Sequence, residues 1–75
     1  QIPDEFGQLI NLQKLDLNCN LITKIPDEFD KLINLQELYL MKNQIKTMSI
    51  SVANLPKLKK FDITGNQIKN VHIYI

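Results

Sequence analysis

Apolar residues recur in this chain with two nested periods. Within short stretches they alternate with polar ones, as in Leu15, Asp16, Leu17 and again in Leu38, Tyr39, Leu40. Side chains along an extended strand point to opposite faces in turn, so each stretch predicts a short strand with one greasy face. The longer period is 23 residues: LQKLDLNCNLI at 12–22 returns as LQELYLMKNQI at 35–45 and as LKKFDITGNQI at 58–68. Self-similarity at such a period predicts stacked units rather than a conventional globule.

Splitting the chain at that period gives units 2–24, 25–47 and 48–70, with 71–75 opening a fourth. The first two units share 14 of 23 positions, whereas the third shares only six with the second. Where the third differs it keeps apolar character, as at Val52, Phe61 and Ile63. Turn-forming residues follow each alternating stretch and keep the strand short. The limb between turn and next strand, IPDEFDKLINL, has room for one or two tight turns. Pro26 suits a first helical position, and Asp27 and Glu28 suit a first turn. Phe29 and Leu32 lie three apart and give that turn an apolar face.

The shared pattern is LxxLxLxxNxI. Leu12, Leu15, Leu17, Asn20 and Ile22 carry it, then Leu35, Leu38, Leu40, Asn43 and Ile45, then Leu58, Phe61, Ile63, Asn66 and Ile68. Over essentially its whole length the chain resembles the leucine-rich repeat family. The IPDEF limb and the 23-residue unit are most similar to the intracellular Ras-group type, a spelling shared by bacterial relatives. The third unit lacks the proline and the acidic pair. The resemblance implies an α/β solenoid: short parallel strands on the concave face, and short 3₁₀ or α turns or irregular coil on the convex face. It also implies that Asn20, Asn43 and Asn66 form a ladder between coils. The chemistry suits that role, because a buried turn strands backbone N–H and C=O groups, and a carboxamide offers both donor and acceptor.

If the strands stack in phase, their outward positions form columns. These are Lys14, Glu37, Lys60, then Asp16, Tyr39, Asp62, then Asn18, Met41, Thr64. The inward positions barely change between the first two units, while these nearly all do. Tyrosine and methionine are favoured at interface centres with polar rims around them. Tyr39 and Met41 are therefore candidate anchors for a protein or peptide partner, with the charged positions as rim.

Composition narrows the alternatives. Nine basic and eight acidic residues are interleaved along 75 residues, and the net charge is +1. That balance gives no electrostatic reason to expect nucleic acid or an anionic membrane as partner. The paired carboxylates Asp4/Glu5 and Asp27/Glu28 sit where helix starts are expected, and that role accounts for them better than acid–base work. Cys19 is the one cysteine and His72 the one histidine. They lie more than two units apart, so neither a nucleophile–base pair nor a metal set is expected. Gly7 and Gly65 open no phosphate-binding loop, and no cofactor is implied. The lone cysteine and the lack of an Asn-x-Ser/Thr acceptor lean toward a reducing, cytoplasmic setting.

The chain opens directly in IPDEF and closes in VHIYI, with no polar cap at either end. Solenoids need caps, so the single segment 1–75 is expected to be part of a longer array or to self-associate through its open ends. The leading functional expectation is a non-enzymatic protein-interaction module used for scaffolding or signalling. The alternatives are a non-catalytic regulatory segment of a larger enzyme, such as a kinase or ubiquitin ligase, and a structural spacer.

Overall fold

The computed structural model describes residues 2–68. The expectations placed on 69–75, His72 among them, lie outside the described residues. Three coils stack side by side. Each contributes one short strand, β1 (Lys14–Asp16), β2 (Glu37–Tyr39) and β3 (Lys60–Asp62), and the three form a parallel sheet in the order β1-β2-β3. The register follows the repeat, with Leu15 beside Leu38 and Leu38 beside Phe61. Pairing runs on beyond the strands: the amides of Leu17 and Cys19 donate to the carbonyls of Tyr39 and Met41, both at 2.8 Å. A second track lies across the coil, where the Gln44 and Gln67 amides reach the Ile22 and Ile45 carbonyls.

The core shows why a single coil is not stable by itself. Phe29, Leu32, Leu35, Leu38, Leu40 and Ile45 of the middle coil are fully buried, because a coil covers them on each side. In the first coil the counterparts Phe6, Leu12, Leu15 and Leu17 are only half-buried and Leu9 is exposed, with Ile22 buried; in the third, Leu58, Phe61, Ile63 and Ile68 are half-buried, with Val52 and Leu55 buried. Burying one such side chain is worth about 1.5–3 kcal/mol, so most of that gain comes from the neighbour rather than from the coil itself. The Phe6 and Phe29 rings stack with centroids 6.1 Å apart and planes 11° from parallel.

The return limbs are the short turns expected on the far side from the strands. Asp4–Gln8 and Asp27–Lys31 are 3₁₀ turns, and Ile50–Ala53 is a single α turn, α1. One detail is corrected. Pro26 is not the first helical residue; it stands just before the turn in an extended conformation (φ −60°, ψ 143°). Its carbonyl accepts the first turn bond from the Phe29 amide. Acceptance needs no N–H, so proline fits that place as well as it would fit the first helical position. The third unit has Ser49 where the second has Pro26, and the Ser49 Oγ caps the turn by accepting from the Ser51 amide.

Two glycines have stereochemical reasons. A Cβ on buried Gly7 would stand 2.7 Å from the Glu28 carbonyl oxygen, so the first and second limbs approach too closely for any side chain. Gly65 has φ +77°, and the equivalent turn residues Cys19 and Lys42 are also left-handed at +60° and +57°. The turn after each strand requires this conformation, which costs a non-glycine residue about 1–2 kcal/mol.

Of the three asparagines expected to form a ladder, the side chains of Asn43 and Asn66 join coils and that of Asn20 does not, because no described coil precedes it. Asn43 is buried; its Oδ1 accepts from the Asn20 and Ile22 amides at 3.1 and 3.2 Å. Its Nδ2 donates to the Leu17 and Leu40 carbonyls at 2.9 and 3.1 Å. Asn66 repeats the arrangement one coil on, accepting from Ile45 and donating to Leu40 and Ile63. Asn20 is exposed, and its Nδ2 bonds stay within its own coil, to Leu17 and Asn18. A second amide brace lies before the strands. Asn34 Nδ2 donates to the Ile10 carbonyl at 2.8 Å, and Lys57 Nζ donates to Asn34 Oδ1 at 3.0 Å, so one side chain ties three coils.

These contacts set different costs for similar changes. Asn43→Ala strands buried groups in two coils and is expected to cost about 2–3 kcal/mol, whereas Asn20→Ala is expected to cost under about 1 kcal/mol. Gly7→Ala forces the limbs apart and is expected to cost about 1–3 kcal/mol. Urea unfolding of the variants measures all three.

Candidate functional site

The outward face of the sheet is assembled by the repeat register. Lys14 pairs with Glu37 and Glu37 with Lys60; Asp16 pairs with Tyr39 and Tyr39 with Asp62. Hydrogen bonds from backbone amides carry the alignment into the third row, where Met41 donates to the Asn18 side-chain Oδ1 at 2.7 Å and Lys42 to the Thr64 carbonyl at 3.0 Å. The structure therefore brings all nine sequence-predicted positions onto one face. Lys14, Asp16, Lys60 and Thr64 are exposed, while Asn18, Glu37, Tyr39, Met41 and Asp62 are half-buried. Parallel strands spaced about 4.8 Å apart put neighbouring columns within side-chain reach.

Several panel residues also bond within the molecule. Asp16 Oδ1 accepts from the Asn18 amide at 3.1 Å. Asp62 Oδ1 accepts from the Thr64 amide at 3.0 Å and from its hydroxyl at 2.8 Å. Short polar side chains close turns on their own backbone in this way. Asn18 goes further and meets the next coil through Met41. These four side chains hold the turn after the strand as well as facing outward.

Tyr39 sits at the centre. Its hydroxyl donates to Glu37 Oε1 at 2.5 Å, and Lys14 Nζ lies 5.9 Å from its ring centroid. A cation over an aromatic face is attracted by the ring quadrupole. The Tyr39 hydrogen bond, then the Lys60 and Lys14 charges, lower the Glu37 pKa. The same hydrogen bond, followed by partial burial and the Glu37, Asp16 and Asp62 charges, raises that of the Tyr39 phenol. The Thr64 hydrogen bonds lower that of Asp62.

The other candidates fall elsewhere. Asp4, Glu5, Asp27 and Glu28 lie in the first turns of the 3₁₀ limbs, away from the strand face. Cys19 is exposed in its left-handed turn. Among the described residues no three His, Cys, Asp or Glu side chains are placed to hold a metal ion. Nor is any helix of the described residues long and apolar enough to cross a membrane. The Asn34 brace escaped sequence reasoning, although the repeated INLQ at 10–13 and 33–36 carries it.

In-phase parallel strands, tight turns on the opposite side and an asparagine braced every 23 residues define a leucine-rich repeat solenoid. The family model described as Leucine rich repeat matches residues 10–68, and the chain belongs to that family. It is similar to a solved leucine-rich repeat protein of Leptospira interrogans, with 34% identity, 87% of this chain and 17% of that one covered, and a TM-score of 0.81. It is also similar to internalin C2 of Listeria monocytogenes, with 28% identity, 93% of this chain and 29% of that one covered, and a TM-score of 0.68. The chain thus spans less than a third of the length of either. No curated protein matches it. Leucine-rich repeat modules generally mediate protein–protein interaction and are typically non-catalytic.

The hydrogen bond at the panel's centre has a direct readout. The Tyr39 phenol is expected to titrate at higher pH than an ordinary tyrosine, and Glu37→Gln is expected to bring it back down. Site-resolved carbon NMR of the ring across alkaline pH measures both.

Proposed function

We propose that this strand face binds a protein or peptide partner, with Tyr39 and Met41 as the anchoring contacts. The observation that carries this reading is the half-buried Tyr39, fixed at the centre of the panel by Glu37 and flanked in register by Asp16 and Asp62. A large ring held in one orientation loses little freedom on binding, and its amphipathic body offers both apolar area and a polar tip. Met41 beside it supplies an adaptable apolar surface. Lys14, Asp16, Lys60 and Asp62 form the polar rim, with Asn18, Glu37 and Thr64 completing the patch. Protein recognition, the general role of the family, fits a panel whose inward frame barely changes between the first two coils while its outward residues change at all three strand-face positions. Nothing in this arrangement supplies a nucleophile with its base, and we read the chain as non-catalytic.

The test is a capture experiment comparing the wild-type chain with a Tyr39→Ala, Met41→Ala variant, followed by affinity measurement on the captured partner. Tyr39→Ala alone is expected to cost at least about 2 kcal/mol of binding. Unchanged affinity with the fold intact would remove the panel from the interface.

A further inference from the structure

Resting on that reading, we infer that the partner enters with a basic side chain, best an arginine, seated over the Tyr39 ring between Asp16 and Asp62 and followed by an aliphatic residue on Met41. The argument is one of charge left uncompensated. In the first column Glu37 lies between Lys14 and Lys60, so its carboxylate has a cation on each flank. In the second column the flanking groups are Asp16 and Asp62, and neither forms an ion pair with any described residue. Each keeps one carboxylate oxygen outside its turn hydrogen bonds. Across both columns two lysines face three carboxylates, and the unpaired negative charge sits on both sides of the aromatic ring. A group centred over Tyr39 lies about 5 Å sideways from each flanking strand, well inside the screening length of physiological salt. An anion there would meet two carboxylates and the negative face of the ring. A cation would be attracted by all three.

The chain already shows what the ring accepts. Lys14 Nζ stands 5.9 Å from the Tyr39 centroid, so an ammonium group from the neighbouring strand occupies this platform when no partner is present. Lys14 is exposed, and a partner's cation would displace it. Arginine suits the place better than lysine, because its planar guanidinium stacks on a ring while offering donors sideways to carboxylates.

The probes are a short peptide of alternating arginine and leucine and its glutamate–leucine counterpart, each titrated into the isotope-labelled chain and followed by amide NMR shifts. The arginine peptide is expected to shift the amides of residues 15–17, 38–40 and 61–63. The glutamate peptide is expected to leave them unmoved. Asp16→Asn with Asp62→Asn keeps the oxygen acceptors for Asn18 and Thr64 and is expected to weaken the arginine peptide about fivefold, as for the loss of two exposed charge pairs. Lys14→Gln removes the competing cation and is expected to tighten binding, the opposite of what an acidic partner would show. Equal shifts with the glutamate peptide, shifts confined to the acidic 3₁₀ limbs, indifference to the Asp→Asn pair, or weakening by Lys14→Gln would each overturn the assignment. The two readings fail separately. A captured partner lost with Tyr39→Ala but indifferent to the Asp→Asn pair overturns the basic side chain and leaves the panel standing, whereas one indifferent to Tyr39→Ala overturns the panel itself.

Discussion

The carboxamide of Asn43 satisfies amides and carbonyls of two successive coils from a site closed to water. A polypeptide that turns inward after every strand buries backbone groups that have no ladder partner, and leaving such groups unmade is costly. One amide side chain at the right phase answers that demand, and Asn66 answers it again for the next coil. The leucines are subject to the same condition in apolar form. Each inward row is covered only by the row beside it, so the middle coil is closed and the outer two are half open. Every other feature of the molecule, including the face it turns outward, depends on coils being held at one fixed offset from each other.

That offset builds the panel. Because the register equals the repeat, residues 23 positions apart become neighbours, and three separate stretches of sequence supply one surface. The surface is less free than a list of outward positions implies. Asp16, Asn18, Asp62 and Thr64 spend hydrogen bonds on the turn that ends each strand. Tyr39 spends its hydroxyl on Glu37 and thereby keeps its ring in place. Residues that present chemistry to a partner also shape the backbone beneath them, so a change in one function carries into the other.

The return limbs show how one architecture tolerates different local solutions. Two units use proline ahead of a 3₁₀ turn, and the third uses a serine cap ahead of an α turn. Both deliver an apolar residue to the same place: Phe29 in one, Val52 in the other, each fully buried. What the stack demands of the limb is the buried side chain, not a particular helix type. The tight spot is elsewhere, at Gly7, where the neighbouring limb leaves no room for a Cβ.

The amino-acid sequence by itself determined the period, the inward leucines, the short strands and the phase of the asparagines. These follow from alternation and repetition, which are properties of residues close together along the chain. Tertiary structure decided what those patterns touch. That Asn34 ties three coils, that Glu28 crowds Gly7, that Lys14 lies over Tyr39 and that Cys19 and Lys42 adopt left-handed turns all arise between coils or from how a coil must close against its neighbour. Each depends on distances across roughly one 4.8 Å strand spacing, and those distances exist only once the stack has formed.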